Sequence, residues 1–91
     1  MENVFTIQYM RKNEVYCIRL LEKEKFCSHR GLTKILHLNM MEYESKLKNE
    51  FNAIKHPKFK GNNYVYFKNI EDARQARNWI EGLYIMNKLL N

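Results

Sequence analysis

The sequence predicts a small α+β domain: one antiparallel β-sheet with helices packed on one face, in the order β-β-α(α)-β-α, with a short final strand as an option. Three observations lead there. Two short stretches near the start follow the period of strands, residues 32–54 switch to the period of a helix, and residues 64–67 return to a strand ahead of a second helical stripe. With 91 residues, 45% of them hydrophobic, the chain has the length and composition for one globular domain, 1–91, and too little length for two.

Residues 4–10, VFTIQYM, alternate. Phe5, Ile7 and Tyr9 fall on one side and Thr6 and Gln8 on the other, as in a half-buried strand. Arg11-Lys12-Asn13-Glu14 reads as a turn. Residues 15–21, VYCIRLL, open on the strand formers Val15 and Tyr16 and favour a hairpin. A helix over 14–27 is the competing pattern, because Tyr16, Leu20 and Cys27 can share a stripe. Glu22-Lys23-Glu24-Lys25 is a solvated charge run that ends the strand.

Leu32, Leu36, Met40, Tyr43, Leu47, Phe51 and Ile54 then recur in steps of three and four, a helical stripe. Asn39 followed by Glu42 is the signature of an N-cap with a reciprocating carboxylate. The region is therefore either one long helix or a short helix over about 32–38 and a second over 40–54. Pro57 closes it by disfavouring helix at His56 and removing a backbone donor.

Gly61-Asn62-Asn63 is a turn and Tyr64-Val65-Tyr66-Phe67 a strand. Asn69 caps the next helix, with Glu71 and Asp72 in its first turn, where the helix dipole favours acids. Ala73, Ala76, Ile80 and Leu83 form its inner stripe. Gly82 is the expected left-handed stop, leaving Leu83–Met86 as a short edge strand; the alternative is a helix that runs on to Leu90.

Lys and Arg total 16 against 10 Asp and Glu, a net charge of +6. That balance favours polyanionic partners: nucleic acid, an anionic membrane, or an acidic protein face. Glu2, Thr6 and Gln8 interrupt any signal-peptide core, and no apolar run reaches the length of a membrane span. The expectation is a cytoplasmic protein with no membrane partner and with Cys17 and Cys27 reduced. Abundant Lys, Asn, Ile and Tyr with only three Ala suggest an AT-rich coding sequence, as in a low-GC bacterium, its phages or its plasmids.

The stretch 55–68, KHPKFKGNNYVYFK, places four lysines and four aromatics together with no acid among them. Strand alternation puts Tyr64 and Tyr66 on one face and the better core residues Val65 and Phe67 on the other. Two outward tyrosines bordered by Lys55, Lys58, Phe59, Lys60 and Lys68 would stack bases and neutralise phosphates. Arg74 and Arg77 would extend the patch along the last helix. For both arginines the alternative is local pairing, Glu71 with Arg74 and Glu81 with Arg77. Trp79 adjoins the apolar stripe and is read as core.

Lys60-Gly61-Asn62-Asn63-Tyr64-Val65-Tyr66-Phe67 is similar to the RNP1 octamer of the RNA-recognition motif family, and the stretch after Asn69 looks like the helix that follows it there. The resemblance implies Lys60 as a backbone contact and Tyr64 as a stacking residue. Asn62 stands where that family has an exposed aromatic, Asn63 where it has a small residue, and a helical stripe occupies the place of one of its strands.

Other constellations carry less. Residues 32–47 can be laid out as a helix-turn-helix, but the second helix opens with Glu42 and Glu44, which repel phosphates. Cys17, Cys27, His29 and His37 lack the paired spacing of a zinc site and read as buried thiols and surface histidines. A Cys27–His29 pair has no third orienting group, and no glycine-rich phosphate loop is present, so no enzyme and no cofactor are expected. Two function classes follow. One is a small basic non-enzymatic nucleic-acid-binding or regulatory protein, with single-stranded nucleic acid as partner. The other is a phage- or mobile-element-encoded, anti-CRISPR-like inhibitor that docks on a nucleic-acid-handling protein. A homodimer through the sheet edge or through Met40 and Met41 is compatible with either.

Overall fold

A computed structural model describes residues 4–22, 25–26, 28–55 and 64–90. Its elements are β1 (Ile7–Met10), β2 (Val15–Arg19), β3 (Leu21–Glu22), β4 (Lys25–Phe26), α1 (His29–Leu36), α2 (Met40–Asn49), β5 (Tyr64–Phe67) and α3 (Ile70–Leu90). The chain is α+β, in the order the period changes predict.

β2 lies at the centre of an antiparallel sheet of order β1-β2-β5. The register pairs Ile7 with Ile18 and Ile18 with Val65; the next row pairs Tyr9 with Tyr16 and Tyr16 with Phe67. Both rows face the helices. Ile18, Val65 and Phe67 meet Leu32 and Leu36 of α1, Tyr43 and Leu47 of α2, and Ala73, Ala76, Ile80 and Tyr84 of α3 in one buried cluster. The strand reading of 15–21 is thus correct over Val15–Arg19. Beyond it, the chain makes a second small ladder, Leu21 with Phe26 and Glu22 with Lys25, across the charge run.

Glycine is scarce, and among the described residues three others make left-handed turns: Glu14 (φ 52°), His37 (φ 55°) and Asn52 (φ 57°). Glu14 closes the β1–β2 reversal. His37 caps α1, its amide bonding back to the last turn. Two helices with a break at 37–39 is therefore the arrangement adopted. α1 starts at His29 rather than near Leu32 because Ser28 Oγ accepts from the Gly31 amide at 3.0 Å. α2 starts where Asn39 predicts, its Oδ1 accepting from the Met41 and Glu42 amides at 2.8 and 3.3 Å.

α2 ends at Asn49, five residues short of the expected end at 54. Asn52 turns the chain, the Ala53 amide bonds to Leu47 O at 2.9 Å, and Ile54 pairs antiparallel with Tyr66. The helical spacing of Phe51 and Ile54 is real but is not spent in a helix. Phe51 packs on Trp79 at 5.6 Å between ring centroids, and Ile54 covers the sheet edge.

α3 corrects a further expectation. Asn69 caps it as read, accepting from the Glu71 amide at 2.7 Å. It then passes through Gly82 without a stop and continues to Leu90, so no final strand forms at 83–86. The inner stripe does not end at Gly82: Tyr84 is buried and meets Phe5 edge-on at 5.4 Å. Asn87 Nδ2 donates to Leu36 O at 3.3 Å, satisfying a carbonyl at the end of α1. Gly82 lies on the outer face, where a Cβ would meet nothing within 4 Å. No helix among the described residues is long and apolar enough to cross a membrane.

Candidate nucleic-acid interface

The residues singled out for binding divide between the two faces of the sheet. Tyr64 and Tyr66 share the face turned away from the helices, as alternation requires, with ring centroids 6.1 Å apart. Tyr66 is not the open platform expected, however: it is 6% exposed. Central-strand neighbours Val15 and Cys17 are buried with it, and Met10, Ile54 and Tyr64 pack around them. The physical reason is the return of residues 53–54 onto β5, which places an apolar residue beside Tyr66. Burial also pushes the Tyr66 phenol and the Cys17 thiol above their ordinary pKa values. Tyr64 is half-buried, Lys55 and Lys68 are exposed, and Lys58, Phe59 and Lys60 lie outside the described residues, as does the 61–63 turn.

His29 is a feature that sequence reasoning missed. It is half-buried at the start of α1 rather than a surface histidine. Its Nε2 lies 3.1 Å from the Tyr64 carbonyl and its Nδ1 2.8 Å from Tyr43 Oη. A carbonyl only accepts, so Nε2–H donates to it, and in the neutral ring Nδ1 accepts from the Tyr43 hydroxyl. One imidazole thereby ties α1, α2 and β5 together.

Burial lowers the His29 pKa, against the opposing effects of the Tyr64 carbonyl and the Glu44 carboxylate. A folded pKa below the ordinary imidazole value of about 6.5 means that the unfolded chain binds the proton more readily. The contribution is intact above pH about 6.5 and is lost as the pH falls from there toward the folded value. The unfolding free energy from urea titrations is expected to drop between pH 7.5 and 5.5 by at most about 1.4 kcal/mol per pH unit, the limit for one proton. The slope should shrink in His29→Gln; an equal slope in that variant would assign the acid sensitivity elsewhere.

Arg74 and Arg77 stand on the other side of the sheet. With Thr6, Ile7, Tyr9, Tyr16 and Ile70 they line a groove of about 450 Å³ between β1 and α3. Tyr9 and Tyr16 are cross-strand partners with ring centroids 4.9 Å apart, tilted by 50°. Tyr16 packs against the core, while Tyr9 on the edge strand is 48% exposed. Arg74 takes the local pairing read from sequence, its Nη1 2.6 Å from Glu71 Oε1. Arg77 does not. Glu81 is buried and turns away to accept from the Val4 amide, leaving Arg77 Nε with a 3.4 Å contact to Asn78 Oδ1. The Glu81 carboxylate is drawn inward because the segment leading into β1 brings the Val4 amide to it. Trp79 is core-side as expected, beside Tyr43 and Phe51, with Lys46 Nζ 5.1 Å from its ring.

Tyr9 and Tyr16 were legible as strand residues but not as site residues. Alternation put Tyr9 on the core side with Phe5 and Ile7, and only its place at the end of an edge strand leaves it uncovered. Cys17 and His29 lie on different elements, and no group of three or more metal-ligating side chains forms among the described residues; Cys27 lies outside them. The helix-turn-helix layout is present in outline, but the exposed positions in the first two turns of α2 include Met41, Glu42 and Glu44.

No protein-family model matches this chain, and no curated protein or solved structure matches it at a significant level. The class is therefore the one its own fold and surface define: a small basic α+β domain, a three-stranded antiparallel sheet under three helices, with an arginine-flanked pair of tyrosines on β1 and β2.

Proposed function

We propose that this protein is a small non-enzymatic binder of single-stranded nucleic acid. The observation that carries the reading is an exposed tyrosine, Tyr9, in a groove lined by Arg74 and Arg77, on a chain with an excess of exposed cations. Lys46 pairs with Glu50 and Arg74 with Glu71. Arg11, Lys12, Arg30, Lys34, Lys55 and Lys68 stand exposed outside those two pairs. A net charge of +6 on 91 residues attracts a polyanion along its length, and an open tyrosine offers what a single strand alone can use, the face of a base.

The test is titration of fluorescent single-stranded RNA and DNA at 50 and 200 mM salt. Three neutralised phosphates would give a slope of about −2 in log affinity against log salt, or about twentyfold weaker binding at the higher concentration. Absence of binding at low salt would refute the reading and turn attention to an acidic protein face, the partner of an inhibitor. In that case the exposed Met86 and Leu89 on the last turns of α3 are the first residues to substitute.

A further inference from the structure

We infer that the groove between β1 and α3 is a base-stacking subsite for single-stranded nucleic acid, in which a base lies on the Tyr9 ring and Arg77 takes the adjoining phosphate. The inference rests on the nucleic-acid reading above. It puts the contact on the opposite side of the sheet from Tyr64 and Tyr66.

Four features of the groove support it. Its volume, about 450 Å³, falls within the range of clefts that hold small organic groups, about 300–1,000 Å³. Its lining includes two guanidinium groups and, among the described residues, no carboxylate. Tyr16 is held by the core and backs the Tyr9 ring at 4.9 Å, so Tyr9 is braced before any ligand arrives. A braced ring loses little rotamer freedom on binding. Finally, the two arginines differ in availability. Arg74 is already engaged by Glu71 at 2.6 Å, whereas no carboxylate among the described residues pairs with Arg77. Arg77 is thus the phosphate ligand, and Arg74 is the flanking charge.

The same geometry selects against duplex. In a double helix the base faces are stacked on one another, and a tyrosine at a protein edge reaches none of them. A single strand presents one face per nucleotide, and stacking on it is tolerant of sequence.

The experiment is a set of anisotropy titrations with oligo(dT) and oligo(U) of about ten nucleotides, a length typical of single-strand sites. The chains compared are wild type, Tyr9→Ala, Tyr9→Phe, Arg77→Ala and Lys48→Ala. Tyr9→Ala is expected to weaken binding about tenfold or more, and Tyr9→Phe to keep it. Arg77→Ala should lower the magnitude of the salt slope by about 0.7, the share of one phosphate on a single strand. Lys48→Ala makes the same change in charge away from the groove and should leave most of the slope. Thermal melting checks each fold; should Tyr9→Ala melt early, the contrast between Arg77→Ala and Lys48→Ala still decides. If wild type binds and the groove variants bind as well as wild type, the subsite is wrong while the nucleic-acid reading stands. If wild type itself does not bind, both fall.

Discussion

Tyr66→Ala is expected to cost about 3 kcal/mol of folding stability, close to the loss for truncating a buried aromatic. In a chain of this length that is a drop in Tm of about 12–24 °C and a large share of a total of about 5–14 kcal/mol. The expectation follows from 6% exposure and from the loss of a ring that Val15, Cys17 and Ile54 pack around. An outward-facing tyrosine would behave differently, since surface substitutions stay within about 0.5 kcal/mol. Urea or thermal unfolding therefore discriminates. A Tyr66→Ala chain as stable as wild type would return this residue to the surface and restore it as a candidate contact. It also warns against testing nucleic-acid binding with Tyr66 variants, in which lost affinity would report lost fold.

Met86→Pro is expected to cost about 3 kcal/mol and part of the far-UV helical signal. Proline there deletes the amide that an α-helix pairs with the carbonyl of Gly82, and its ring crowds that carbonyl. Met86 is 55% exposed, so Met86→Ala should be near neutral and isolates the backbone effect. The damage reaches the core because Tyr84 and Asn87 hold the end of α3 against Phe5 and the end of α1. Were 83–86 an edge strand, a proline at a solvent-facing position would be tolerated. Equal stability of the proline and alanine variants would place the end of the helix at Gly82 after all.

Local chemistry made most of the elements readable. The alternation of 4–10 and 64–67, the caps Asn39 and Asn69, and the spacing of Leu32 to Leu47 each act within a turn or a strand, so the sequence displays them directly. Where the reading went astray, the deciding partner lay far along the chain. Gly82 is a common helix stop, but Phe5 and Leu36 supply the contacts that carry α3 past it. Phe51 and Ile54 keep helical spacing, yet β5 offers Ile54 a backbone partner and the helix gives way.

The candidate site follows the same rule. Composition and sign of charge, a property of the whole chain, were determined by the sequence, as was the pairing of Tyr64 with Tyr66 on one face. Which tyrosine is open was decided only by tertiary structure. Strand alternation says which side chains share a face, but exposure depends on what covers that face. Ile54 packs against the cluster that holds Tyr66, whereas the edge position of β1 leaves Tyr9 open beside arginines 65 and more positions away in sequence. Burial and juxtaposition across such distances arise from packing, and no local periodicity encodes them.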